Sequence, residues 1–144
     1  MKLTLLVTLG ALVLTACRDS TRLLWPAPMY LKGTWEWSIA VPDEDFAEQW
    51  TLDAHGPDVV GTGHWHRLGF IADPGSGELT VAGTVAGDSV HLDVRYFTGT
   101  AAAGALRSTE HITGVLASPT ELKITIPTGD AFGDVLTQVY RKSR

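Results

Sequence analysis

The sequence predicts an all-β chain whose eight strands run up and down in order and close into an antiparallel barrel. Three observations lead there. Past Tyr30 no stretch repeats apolar residues at the helical period, while period-two alternation recurs between Gly, Pro and Asp clusters. The connections between alternating runs are short, which favours antiparallel neighbours. Such a meander leaves an exposed edge at each end unless the sheet closes on itself, and closure removes both. A two-sheet sandwich made from the same strands is the alternative architecture.

The elements follow in order. Lys32 to Val41 alternates Trp35, Trp37, Ile39 and Val41 against Thr34, Glu36 and Ser38, and Pro42-Asp43-Glu44-Asp45 turns the chain. Phe46 to Ala54 places Trp50 and Leu52 on one face, and His55-Gly56-Pro57-Asp58 turns again into Val59 to Leu68. A loop through Asp73-Pro74-Gly75-Ser76-Gly77 precedes the fourth strand, Glu78 to Val85. Ala86-Gly87-Asp88 joins it to Ser89–Phe97, where Val90, Leu92, Val94 and Tyr96 alternate with His91, Asp93 and Arg95. A loop from Thr98 to Gly104 leads to Leu106 through Ala117, and Ser118-Pro119-Thr120 turns into Glu121 to Ile126. After a loop running from Thr128 to Gly133, Asp134 to Arg141 closes the count. No C-terminal helix is expected.

With 144 residues the chain has room for one compact domain, and 44% apolar against 19% charged residues suits a packed core. A net charge of −5 runs against nucleic-acid binding, which calls for basic patches. A single cysteine forms no internal disulfide.

Met1-Lys2 precedes an apolar run from Leu3 to Ala16, too short to cross a bilayer as a helix. A basic start, an apolar centre and small residues at its end read as a secretory signal. Leu14-Thr15-Ala16-Cys17 resembles the lipobox of bacterial lipoprotein signal peptides. That resemblance implies cleavage before Cys17 and lipidation of its sulfur. Acyl chains would then anchor the protein to a membrane without a transmembrane helix. An ordinary secretory signal with a chance cysteine is the plainer reading. The chain divides into a signal peptide at 1–16, a tether at 17–29 and a barrel domain at 30–144. Pro26 and Pro28 suggest that the tether is extended. Arg18 stands where an aspartate would signal inner-membrane retention in Gram-negative bacteria, so the resemblance implies the outer membrane, facing the periplasm, for such a source.

Gly33-Thr34-Trp35 at the head of the first strand resembles the Gly-X-Trp signature of lipocalins and their avidin-like relatives. The resemblance implies a calycin-type barrel in which Trp35 plugs the closed end and a basic residue of the last strand, Arg141, lies across it. It also implies an internal ligand site. The chain departs from the pattern in its shortness, in lacking the second lipocalin motif and in placing Glu36-Trp37-Ser38 where avidins carry polar biotin contacts. Biotin binding is therefore not implied.

By alternation, Trp35, Trp37, Trp50, Leu92, Ile112, Leu122 and Ile124 face inward, as plain core or as the wall of a cup. Glu48 and Glu110 share the parity of apolar neighbours. Buried carboxylates are costly unless paired, so each either marks a polar contact inside a cavity or sits at the mouth in reach of water; the mouth is the expected place. Trp37, Trp50, Glu48, Glu110 and Tyr96 are the candidate ligand contacts. His64 and His66 share a strand face, and a metal would need a third ligand, His91 or His111, from a strand not adjacent in a meander. Surface histidines beside Trp65 are the simpler expectation. Gly75-Ser76-Gly77 falls in a turn and lacks the strand-to-helix elbow of a serine hydrolase. Asp43-Glu44-Asp45 lacks the ligand loop calcium needs.

No catalytic constellation emerges, no cofactor is implied, and the expected activity is not enzymatic. The leading expectation is a lipid-anchored cell-envelope protein whose barrel binds a small hydrophobic ligand. The alternative is a solid barrel that serves as an envelope protein-interaction or inhibitor module. A metal-dependent enzyme using His64 and His66 is the third reading.

Overall fold

The computed structural model describes residues 27–41, 44–69, 74–127 and 135–143. The expected signal segment, the lipobox-like stretch ending at Cys17, most of the expected tether and Asp43 lie outside them. A short helix α1 (Ala27–Leu31) leads into β1 (Gly33–Val41), β2 (Glu44–His55), β3 (Asp58–Gly69) and β4 (Gly75–Ala86). β5 (Ser89–Thr98), β6 (Ala105–Ser118), β7 (Glu121–Pro127) and β8 (Val135–Lys142) follow. All eight strands pair antiparallel with their sequence neighbours and β8 returns to β1, so the sheet is a closed up-and-down barrel.

Two local expectations change. Where the end of an extended tether is expected, residues 27–31 form α1, because proline is tolerated in the first turn of a helix, where its missing N–H has no partner to lose. Leu31, at the end of α1, is fully buried against the barrel floor. The fourth strand begins at Gly75, three residues earlier than expected, with Gly75, Ser76 and Gly77 pairing Arg67, His66 and Trp65. The glycines look like a turn in sequence, but they are strand residues under close approach. A Cβ on Gly77 would overlap the carbonyl oxygen of Phe97.

At one end the turns are tight. His55 pairs Asp58 across Gly56-Pro57, and Ala86 pairs Ser89 across Gly87-Asp88. Gly56 has φ 61° and proline cannot follow it into positive φ, which leaves a II′-type turn. The same end is plugged from inside by Trp35, with no exposed surface. Its Nε1 donates to the Leu31 carbonyl at 2.8 Å.

The interior is filled by setting large side chains opposite glycines on neighbouring strands. Trp50 faces Gly63, Leu52 faces Gly61, Leu92 faces Gly83 and Ile124 faces Gly114. A small barrel closes only when volumes alternate in this way. A Cβ on Gly63 would overlap the Gln49 carbonyl oxygen and press on Leu79 Cδ1 at 3.0 Å. Gly63→Ala is therefore expected to lose about 1–3 kcal/mol, read as a lower midpoint in denaturant melts at unchanged slope; an unchanged midpoint would mean the strands can move apart there.

Candidate functional site

Strand parity decides what the barrel interior offers. In β2 the inward row runs Phe46, Glu48, Trp50, Leu52, and in β8 it runs Leu136, Gln138, Tyr140, Lys142. Arg141 therefore faces outward, where its Nη1 lies 3.5 Å from Glu121 Oε2. The cation over Trp35 is its neighbour Lys142, with Nζ 5.5 Å from the ring centroid and 2.8 Å from the Tyr30 carbonyl oxygen. The expected arrangement exists, one residue along, because consecutive strand residues point to opposite faces. Burial lowers the Lys142 pKa.

Glu48 does not reach the mouth. It is 4% exposed and sits at the centre of a hydrogen-bond hub. Tyr96 OH donates to its Oε1 at 2.8 Å, while Tyr140 OH at 2.6 Å and Trp50 Nε1 at 2.9 Å both donate to Oε2. Three strands far apart in sequence, β2, β5 and β8, are braced through one carboxyl group. The aromatic rings pack beside it: the Trp50 and Tyr140 centroids are 4.2 Å apart, and Trp65 meets Tyr96 edge to face at 6.1 Å. Burial pushes the Glu48 pKa up, against the three donors, which favour the ionised form. Burial, with the Glu48 carboxylate behind it, also drives the Tyr96 and Tyr140 hydroxyls far above the ordinary phenol range, so both stay protonated.

Above this hub the barrel is not filled. A cup of about 280 Å³ opens toward the mouth, with Glu48, Tyr96, Tyr140 and Gln138 in its lower part. Ile112, Ile126, Phe46 and Trp65 supply apolar wall, and Arg67, Arg107, Ser108 and Glu110 supply polar wall. Arg67 lies over the Phe46 ring at 5.2 Å and Arg107 over the Trp65 ring at 5.0 Å. Glu110 sits at the mouth as expected; burial raises its pKa and Arg67 pulls it back.

Gln138 is 8% exposed and lines the cup. One of its amide atoms lies 3.3 Å from Tyr140 OH. That atom is the Gln138 Oε1 acceptor, and because the phenol proton is shared with Glu48 Oε2 at 2.6 Å, the carbonyl oxygen keeps acceptor capacity to spare.

The structure thus brings together Glu48, Trp50, Tyr96 and Glu110. Trp37 is half-buried beside them, its ring 6.1 Å from Tyr140. His64 and His66 stand on the outer face of β3, because Gly63 and Trp65 take the inner one, and His66 Nε2 lies 3.6 Å from Asp45. Among the described residues no three His, Cys, Asp or Glu side chains gather as metal ligands. The two histidines border an outer depression of about 830 Å³. Its polar groups are largely spent on one another and on the backbone: Gln49 donates to Glu36 at 2.8 Å and Glu78 accepts the Ala101 N–H at 2.7 Å.

Sequence reasoning missed Trp65, Gln138 and Tyr140. Gln138 and Tyr140 alternate with Leu136, a signal present in the last strand. Trp65 was hidden by the featureless parity of Gly61 and Gly63. Comparison with protein-family models, curated proteins and solved structures gives no match for this chain. The closed eight-strand barrel is the architecture that the lipocalin resemblance implies, and the inference of function starts from the site itself.

Proposed function

We propose that the barrel receives one small, partly apolar molecule in the cup above Glu48. The supporting observation is the division of the interior. Below the hub, Trp35, Trp50, Leu79, Val94 and Leu122 are packed with essentially no exposed surface, while above it polar and apolar side chains converge on open space. A cup of about 280 Å³ lies at the small end of ligand pockets. Its lining of carboxyl, amide and guanidinium groups among apolar walls suits an amphipathic ligand better than a pure hydrocarbon. The lipobox-like segment ending at Cys17 would hold this receptor at a membrane of the cell envelope, facing the periplasm if that membrane is the outer one.

A second reading has its own support. Ile39, Leu68, Leu106 and Leu136, each 43–59% exposed, cluster toward the mouth end and would suit contact with another envelope protein. The two are separable. Native mass spectrometry of the Cys17→Ser chain, exported by its own host and purified without detergent, is expected to show added mass of one small organic molecule. Ser108→Trp, which puts an indole into the cup from an exposed position, should remove that mass. A bare chain in both samples overturns the ligand reading and leaves the protein-contact one.

A further inference from the structure

The charges in and around the cup are not balanced against each other in the same way. Glu110 has a cation in reach, since the Arg67 guanidinium stabilises its ionised form. Arg67 and Arg107 are also seated over aromatic rings at the upper wall. Glu48 differs. All three of its hydrogen-bond partners, Tyr96, Tyr140 and Trp50, are neutral donors, and the charged group that acts on it is a second acid, Glu110. A buried carboxylate without a cation is an expensive arrangement.

The hydrogen bonding of Glu48 is also uneven. Oε2 takes two donors and Oε1 takes one, so Oε1 keeps an open acceptor position in a side chain that lines the cup. The Gln138 carbonyl oxygen, 3.3 Å from Tyr140 OH, is a second acceptor with a lone pair to spare. Glu110 supplies a third acceptor on the same lining. Around them stand the rings of Tyr96, Tyr140 and Trp65, whose faces attract cations. Acceptors, negative charge and π faces share this lining, and while Arg67 serves Glu110, Glu48 has no positively charged donor among its partners.

We propose that the cup is built for a small organic ammonium ion, its –NH₃⁺ seated between Glu48 Oε1, the Gln138 carbonyl and Glu110. The inference rests on the receptor reading above and adds the ligand's chemical class. An ammonium group carries three donors and meets three acceptors there. Its apolar body lies against Ile112, Ile126 and Phe46. Arg67, higher on the wall, would meet an acidic group at the ligand's other end, which separates two sources of the same chemistry: a simple amine does not need Arg67, and an amino acid does.

The test uses three probes of one size on the exported Cys17→Ser chain, followed by titration calorimetry: 2-phenylethylamine, 2-phenylethanol and 3-phenylpropionate. The amine is expected to bind at least about ten-fold more tightly than the other two. Glu48→Gln, which keeps the hub's shape and can still accept from Tyr140 and Trp50, should remove that preference, the amine losing several-fold more affinity than the alcohol. Glu110→Gln, at the mouth and away from the packed core, should weaken the amine by several-fold and serves if the first variant folds poorly. Phenylalanine tested against Arg67→Gln tells amine from amino acid: a loss for phenylalanine alone assigns the acidic group to Arg67. Tighter binding of the alcohol or the acid would overturn the ammonium assignment and leave the receptor reading intact. Failure of the amine at millimolar concentration would overturn it as well, and if native mass spectrometry also finds a bare chain, both inferences fall together.

Discussion

Trp35→Ala is expected to cost about 3–5 kcal/mol of stability, the largest single effect in the barrel. Three features of the ring make it so. It has no exposed surface, so removal opens a cavity at the barrel floor. Its indole N–H ties α1 to the barrel through the Leu31 carbonyl at 2.8 Å. Its face supports Lys142, which in turn binds the Tyr30 carbonyl oxygen at 2.8 Å. That seam is also the thinnest in the barrel: among the described residues β1 and β8 share only the pairs Trp35–Lys142 and Glu36–Arg141. Trp35→Phe should cost about 1–2 kcal/mol, losing the hydrogen bond and part of the volume. Denaturant melts of the two variants check the ordering. A loss below about 1 kcal/mol for the alanine variant would mean that the floor is not closed by this ring.

Glu48→Ala is the second. Removing the carboxyl leaves the Tyr96, Tyr140 and Trp50 donors without their acceptor, at about 1–3 kcal/mol for each one that stays dry. Water entering from the cup would recover part of this, so a net loss of about 2–4 kcal/mol is expected. Glu48→Gln should lose much less, since an amide oxygen still accepts from two of the three.

The two variants also report on pH. Burial raises the Glu48 pKa in the folded protein, so the native state holds that proton more firmly than the unfolded chain. Its linkage contribution is therefore fully present below the ordinary carboxylate range and is lost as pH rises through the folded pKa. Glu110 acts with the same sign, while the lowered pKa values of Glu36 and Asp53 act oppositely and are lost as pH falls. The groups facing Glu48 across the cup and hub are Glu110, Tyr96 and Tyr140, and neither phenol titrates in this window. Melts across mildly acidic to neutral pH should show wild-type stability falling more steeply than that of Glu48→Gln. Equal slopes would mean that Glu48 titrates in the folded protein as it does in the unfolded chain.

Much of the fold was legible because strand alternation has a period of two and needs only local sequence. Leu92 with Val94, and Leu122 with Ile124, announce their buried face unaided, and short turns dictate antiparallel order. The cup was less legible for the same reason. Glu48 carries the parity of Trp50, which told that it faces inward, but parity does not tell depth. Whether an inward carboxyl meets water or three donors depends on Tyr96 and Tyr140, which lie 48 and 92 residues away along the chain. Gly61 and Gly63 left β3 without a readable face, so Trp65 was not seen as a wall of the cup. The resemblance placed Arg141 across the Trp35 ring, and a register of one residue puts Lys142 there instead.

The sequence by itself therefore determined the strands, their order and most of the inward rows, since these follow from local periodicity and turn chemistry, while the closing role of Trp35 came from the resemblance of Gly33-Thr34-Trp35 to the lipocalin signature. The tertiary structure alone decided which inward side chains meet. Closure of the barrel brings β2, β5 and β8 to one point around Glu48 with the cup open above it, and contacts that span 48 and 92 residues are not written in a local period of two.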